Sequence, residues 1–158
     1  TDCQELAYVL KPNEIEPPKY LVDALKDGNR VQDIFTSNFE TNKTGNAILA
    51  ESLDMAKATG LRPSIYTHPL GTYGHSSGTT LGMWDSQDGV PVNGDYPLHE
   101  NTVYAIELNT TVNIPEWKRD IRIMLEEAGF WGEEGFRYVN GRQTKLLTIP
   151  RIKAHQGN

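Results

Sequence analysis

The hydrophobic spacing of the chain changes character at Arg62-Pro63. Before that point apolar residues recur every three or four positions, the period of a helix with one buried face. Leu21, Val22, Leu25, Val31, Ile34 and Phe35 form one such set, and Ile48, Leu49, Leu53 and Ala56 form the next. The first predicts a helix opened by Pro17-Pro18 and running from Lys19 to about Phe39. The second predicts a helix with Thr44 as N-cap and Gly60 closing its C-terminus. After Arg62-Pro63 come short β-branched and aromatic runs separated by Gly and Pro, the pattern of strands and turns. The order, a first strand, two helices and then strands, predicts an α+β fold.

Strands are expected at Leu6–Leu10, Ser64–His68, Thr102–Val112 and Asp120–Glu127. Two more, Phe136–Val139 and Thr144–Ile149, flank Asn140-Gly141, a pair that tolerates positive φ and predicts a hairpin turn. Residues 69–101 are rich in Gly with little periodicity and are expected to form a long irregular segment, of the kind that often carries function. The 158 residues fit a single domain, 1–158, with one core.

Composition removes several classes of function. No apolar run approaches the roughly 20 residues that span a bilayer, so no membrane helix is expected. Fifteen Lys and Arg against 21 Asp and Glu give a net charge of −6, which disfavours nucleic acid and anionic lipid as partners. A single cysteine, Cys3, excludes a disulfide framework and a thiolate zinc site. Any metal must therefore be held by histidines and carboxylates.

Those residues occur in informative places. His68 and His75 lie in the glycine-rich stretch Thr67–Gly78, where glycines beside His75 leave its imidazole accessible as a ligand or acid-base group, or simply as a surface residue. Glu107 interrupts the apolar run Val103–Leu108, where a buried carboxylate costs several kcal/mol unless paired or bound to a cation. Glu126-Glu127 end the run Ile121–Leu125, so one side chain points to each face of that strand. Asp2 adds an acid at the start of the first strand. One Asp, one His and two Glu are donors suited to Mn, Fe, Co or Zn.

The order Asp2, Gly-His75-x-x-Gly, Ile106-Glu107 and Arg122-Ile123 followed by Glu resembles the C-terminal part of the M24 metallopeptidases. This is the pita-bread family of methionine aminopeptidase, Xaa-Pro aminopeptidase, prolidase and creatinase. Pro97–Glu107 is similar to that family's proline-leucine-x-x-glycine-methionine-x-phenylalanine-threonine-isoleucine-glutamate stretch, and Thr1-Asp2 with Leu6–Leu10 is similar to the strand bearing its second Asp. The resemblance runs from Thr1 to about Thr148. It implies two helices packed on a curved, mainly antiparallel sheet, the C-terminal portion of a pita-bread fold. It further implies two divalent metal ions (Mn, Co, Zn or Fe), with Asp2, His75, Glu107 and Glu126 as ligands. Glu126, or else Glu127, takes the water's proton, and His68 contacts the peptide oxyanion or leaving amine.

Three departures accompany the resemblance. The family's first Asp would fall before Thr1, so a fragment lacking its N-terminal half, or a chain completed by a partner or in a homodimer, is expected. The half of the fold that packs against this one is likewise absent. The family's second His, seven to ten residues beyond the first, would fall near Gly82-Met83-Trp84-Asp85, leaving His68 and His99 as substitutes. The expected function is hydrolysis of a peptide substrate with metal-activated water. The alternatives are a pita-bread module that binds peptides or proteins without catalysis, and an unrelated α+β ligand-binding domain.

Overall fold

The computed structural model describes residues 2–151. Strand β1 (Ala7–Val9) leads to helix α1 (Lys19–Ser37) and helix α2 (Gly45–Ala58). Strands β2 (Pro63–Ile65), β3 (His68–Gly71) and β4 (Gly74–His75) follow, then the long β5 (Thr102–Ile114) and β6 (Arg119–Gly132), and finally β7 (Gly135–Tyr138) and β8 (Leu147–Ile149). This is the α+β arrangement expected, two helices against a six-stranded sheet ordered β4-β3-β5-β6-β7, with β2 also paired to β5. Every pairing in that sheet is antiparallel. Among the described residues no helix is long and apolar enough to cross a membrane.

Each helix shows why its sequence stops and packs where it does. In α2 the Thr44 side chain accepts from the Ala47 N–H at 3.2 Å, an N-cap that satisfies one unpaired donor of the first turn. At the other end Gly60 has φ +83, its N–H reaches Lys57 O, and the Leu61 N–H reaches Ala56 O, the double bond of a Schellman stop. Gly28 is an approach point within α1. A Cβ there would lie 2.7 Å from Ile123 Cγ2 and 2.9 Å from Leu125 Cδ1, so its absence lets the helix backbone settle on β6.

The core divides along α1. One cluster gathers Phe35, Phe39, Ile48, Leu49, Leu53, Tyr104, Ile106 and Leu108; the other gathers Leu21, Leu25, Ile114, Ile123 and Leu125. Both lie on one face of β5 and β6, because side chains alternate along a strand. The opposite face is left free for chemistry.

Two expectations need correction. Asn140-Gly141 does not turn a hairpin, although Gly141 does take φ +81. β7 instead returns from β6 through Glu133-Glu134, with Gly132 opposite Gly135, and β8 runs parallel to β1. The expected strand Ser64–His68 is divided into β2 and β3 at Tyr66-Thr67. Here Thr67 turns its backbone to Leu81, and its hydroxyl takes the Glu107 N–H at 3.0 Å. The register across β5 nonetheless continues unbroken, Ile65 opposite Leu108 and His68 opposite Ala105. Within 69–101, β3 and β4 make a small hairpin, and the remainder is mostly irregular as expected.

Candidate metal centre

The long β5–β6 ladder builds the centre of the site. Glu107 stands directly opposite Glu126, and the chain start adds to the far edge of β6, where Gln4 and Glu126 exchange backbone hydrogen bonds of 2.9 and 3.2 Å. On the other side of β5, His68 of β3 shares a face with Ala105 and hence with Glu107. β4 folds back so that His75 faces Leu70, and the two imidazoles stack with centroids 3.6 Å apart. The chain start, the β3–β4 hairpin, β5 and β6 thereby deliver Asp2, His68, His75, Glu107 and Glu126 to one place.

The distances are those of donors around a cation. His75 Nε2 lies 3.5 Å from Asp2 Oδ2, and His68 Nε2 lies 3.7 Å from Glu107 Oε2 and 3.9 Å from Asp2 Oδ2. Two donor groups result, Asp2-His68-His75 and His68-Glu107-Glu126, and in each the candidate ligand atoms fall within 4.8 Å of one another. Ligands bonded to one ion at about 2.0 to 2.2 Å are separated by at most about 4.4 Å. His68 belongs to both groups.

The electrostatics test whether a cation fits. His68 Nδ1 faces the carbonyl oxygen of Pro69 at 3.1 Å, and a carbonyl only accepts, so Nδ1 carries a hydrogen and Nε2 is the ring atom turned toward the carboxylates. Metal-binding histidines characteristically donate their second N–H in this way. His68 Nε2 and Asp2 Oδ2 are both buried without a hydrogen-bond partner. Burial raises the pKa of Glu107, His75 draws it back down, and Asp2 pushes it up. Glu126 is raised by burial and then by Glu107 and Asp2, against the two histidines. A divalent cation would relieve every one of these penalties.

Of the residues expected at the site, Asp2, His68, His75, Glu107 and Glu126 come together. His68, expected at the substrate oxygen or leaving amine, lies at the junction of the two groups with 12% of its side chain exposed, whereas the His75 side chain is 76% exposed. Glu127 stands apart on the helix face, where it accepts from the Gln143 N–H at 3.0 Å and from the Gln32 side chain. His99 is exposed and belongs to neither group. Tyr66 and Asn109 were not singled out from the sequence, yet they line the same face. Counting by twos from His68 and Glu107 would have found both.

A cleft of about 900 Å³ opens over this face, lined by His68, His75, Glu107, Tyr66, Asn109 and Trp84 among others. Gln87 braces its loop, bonding the Ile65 N–H at 2.9 Å and the carbonyls of Ile65 and Met83 at 2.7 Å each.

The architecture recurs in solved structures of one enzyme class. The chain is similar to an X-Pro aminopeptidase from Thermotoga maritima (TM-score 0.64, 16% identity, 94% of this chain and 38% of that one). It is also similar to a prolidase from Thermococcus sibiricus (TM-score 0.61, 12% identity, 94% and 36%). A third match is a dipeptidase from Pyrococcus horikoshii (TM-score 0.55, 16% identity, 84% and 34%). The fold is therefore the C-terminal part of the pita-bread architecture that these peptidases share. The chain spans only about a third of the length of the structures it matches. No protein-family model matches the sequence, and no curated protein matches it.

Proposed function

We propose that this chain supplies most of the active site of an M24-type metallopeptidase, which hydrolyses a peptide bond of an aminopeptidase or Xaa-Pro substrate. The observation that carries the reading is the His68 ring, tied to the Pro69 carbonyl at Nδ1 and presenting a buried, unpartnered Nε2 to Glu107 and Asp2. Nothing in a mere binding surface calls for that arrangement.

Asp2, His68, His75, Glu107 and Glu126 would hold two divalent ions, Mn, Co, Zn or Fe. The remaining acid of the set comes from residues before Thr1 or from a partner chain, a second copy included. When bound, such ions lower the pKa of a shared water and polarise the scissile carbonyl. His68 falls in both donor groups but has one nitrogen to give, so it would serve one ion of the pair, while the stacked His75 extends the set toward the cleft. Glu126, which faces Glu107 across the ladder, is the proton acceptor for the attacking water. The acid of Glu107 serves as its counterpart across the ladder. Glu127, on the other face, holds the strand in place and takes no part in proton transfer.

Calorimetric titration of the metal-free protein with Mn²⁺ tests the reading. Wild type should bind two equivalents, and His68→Ala and His75→Ala should each lose one. Absence of binding by wild type to any of Mn, Co, Zn or Fe would leave the non-catalytic module as the reading of the fold.

A further inference from the structure

Tyr66 has no part in the donor set, yet it occupies the same cross-strand row. Its backbone N–H bonds the Glu107 carbonyl at 3.0 Å, and the unbroken register places it opposite Glu107 as Glu107 is opposite Glu126. Tyrosine, glutamate and glutamate thus sit side by side on the cleft face. One row along, Asn109 is 6% exposed and donates its side-chain N–H to the Tyr66 phenolic oxygen at 3.2 Å. This nearly buried amide commits one of its two N–H groups to that oxygen, which orients the phenol and occupies one of its acceptor sites.

The phenolic hydrogen is then the free end of the pair. Among the described residues no acceptor takes it, and both Tyr66 and Asn109 line the cleft that His68, His75 and Glu107 also line. A peptide whose scissile carbonyl lay beside the carboxylate row would bring its oxygen within reach of this donor. The oxygen gains negative charge as water adds to the carbonyl carbon, so an O–H fixed in advance binds the tetrahedral state more strongly than the planar one.

We infer that Tyr66 is a catalytic residue, donating its O–H to the carbonyl oxygen of the bound peptide as that oxygen becomes an oxyanion, with Asn109 as the positioning residue. This rests on the peptidase reading above. It adds a donor from the protein itself to a site otherwise made of acids and imidazoles.

A phosphinic dipeptide, whose tetrahedral centre carries an anionic oxygen, is the probe. Its affinity for the Mn²⁺-loaded protein is measured by calorimetry for wild type, Tyr66→Phe and Asn109→Ala, alongside Mn²⁺ affinity and thermal midpoint. A hydrogen bond to a charged group corresponds to about 10- to 100-fold, so Tyr66→Phe should weaken the phosphinate by that factor. Asn109→Ala should fall between it and wild type. Mn²⁺ affinity and midpoint should stay unchanged in Tyr66→Phe. Phosphinate binding should also perturb the tyrosine near-ultraviolet band in wild type, and that component should vanish in Tyr66→Phe. Mn²⁺ binding with equal phosphinate affinities, or with none in wild type, overturns the inference alone. Absence of Mn²⁺ binding by wild type overturns the peptidase reading and the inference with it.

Discussion

Glu126 and Glu127 are neighbours in sequence with opposite surroundings, so the same substitution at each should have opposite effects. Glu127 is 6% exposed and accepts two hydrogen bonds, from the Gln143 N–H at 3.0 Å and from the Gln32 amide. Gln32 is fully buried and cannot turn over to adapt, because its oxygen already accepts from Asn29 at 2.9 Å. In Glu127→Gln the new amide nitrogen must therefore face one of those donors. A hydrogen bond to a charged acceptor is worth about 1.5–3 kcal/mol. Part is recovered because the neutral amide is easier to bury than the carboxylate, whose pKa burial already raises. A net loss of about 1–2 kcal/mol remains, which lowers the thermal midpoint by about 2–8 °C for a domain of this size. Glu126→Gln instead removes one of two facing carboxylates and should cost the metal-free protein no stability, while Mn²⁺ affinity falls at least about tenfold. Urea unfolding followed by tryptophan fluorescence, with Mn²⁺ calorimetry on the same preparations, measures both quantities. Loss of Mn²⁺ affinity in Glu127→Gln with stability unchanged would refute the assignment of faces.

Two further outcomes follow from local geometry. Gly82 has φ +81, and a Cβ there would lie 2.1 Å from the Ile65 carbonyl oxygen, so Gly82→Ala should destabilise by at least about 2 kcal/mol in urea and loosen the loop bearing Trp84. Asp120 is held down to about 2 by its bond to Arg62 and then by Asn113. Its folded pKa lies below the unfolded value of about 3.9, so its contribution is present above that value and fades as pH falls toward about 2. Acid titration of stability should show a shallower limb in Asp120→Asn, and an unchanged limb would count against the pairing.

The helices were legible because their cues are local. A stripe of apolar residues, a threonine cap and a glycine stop lie within a few positions of one another, and the structure places α1 and α2 within two residues of where those cues point. The long strands were also visible, though β5 and β6 extend further, since pairing with each other sustains residues whose own pattern is weak. Asn140-Gly141 misled for the converse reason. Its glycine adopts the conformation a hairpin needs, yet the strand beyond it finds its partner at the opposite end of the chain, which no local signal reports.

The candidate acids were legible as a set, because carboxylates in apolar strands demand an explanation. Their grouping was less so. That Glu126 rather than Glu127 joins Glu107 follows from register, and register is a property of two strands. The central place of His68 depends on the backbone of β3 crossing β5 opposite Ala105, and on the Pro69 carbonyl that orients the ring. Neither is written in the spacing of the histidines.

The parallel seam between Ala7–Val9 and Leu147–Ile149 ties together segments from opposite ends of the described chain. Closing so large a loop is entropically costly, and non-local contacts of this kind are slow to form. Asp2 hangs from the near side of that seam, on a stretch steadied by Gln4 on β6 and by Leu6 on Gln143, whereas Glu107, Glu126 and His68 ride on the long hairpin and its neighbour. Strain on that seam therefore acts on Asp2 and leaves Glu107, Glu126 and His68 assembled, so the proposed grip on a cation is open to adjustment from a place that never touches it.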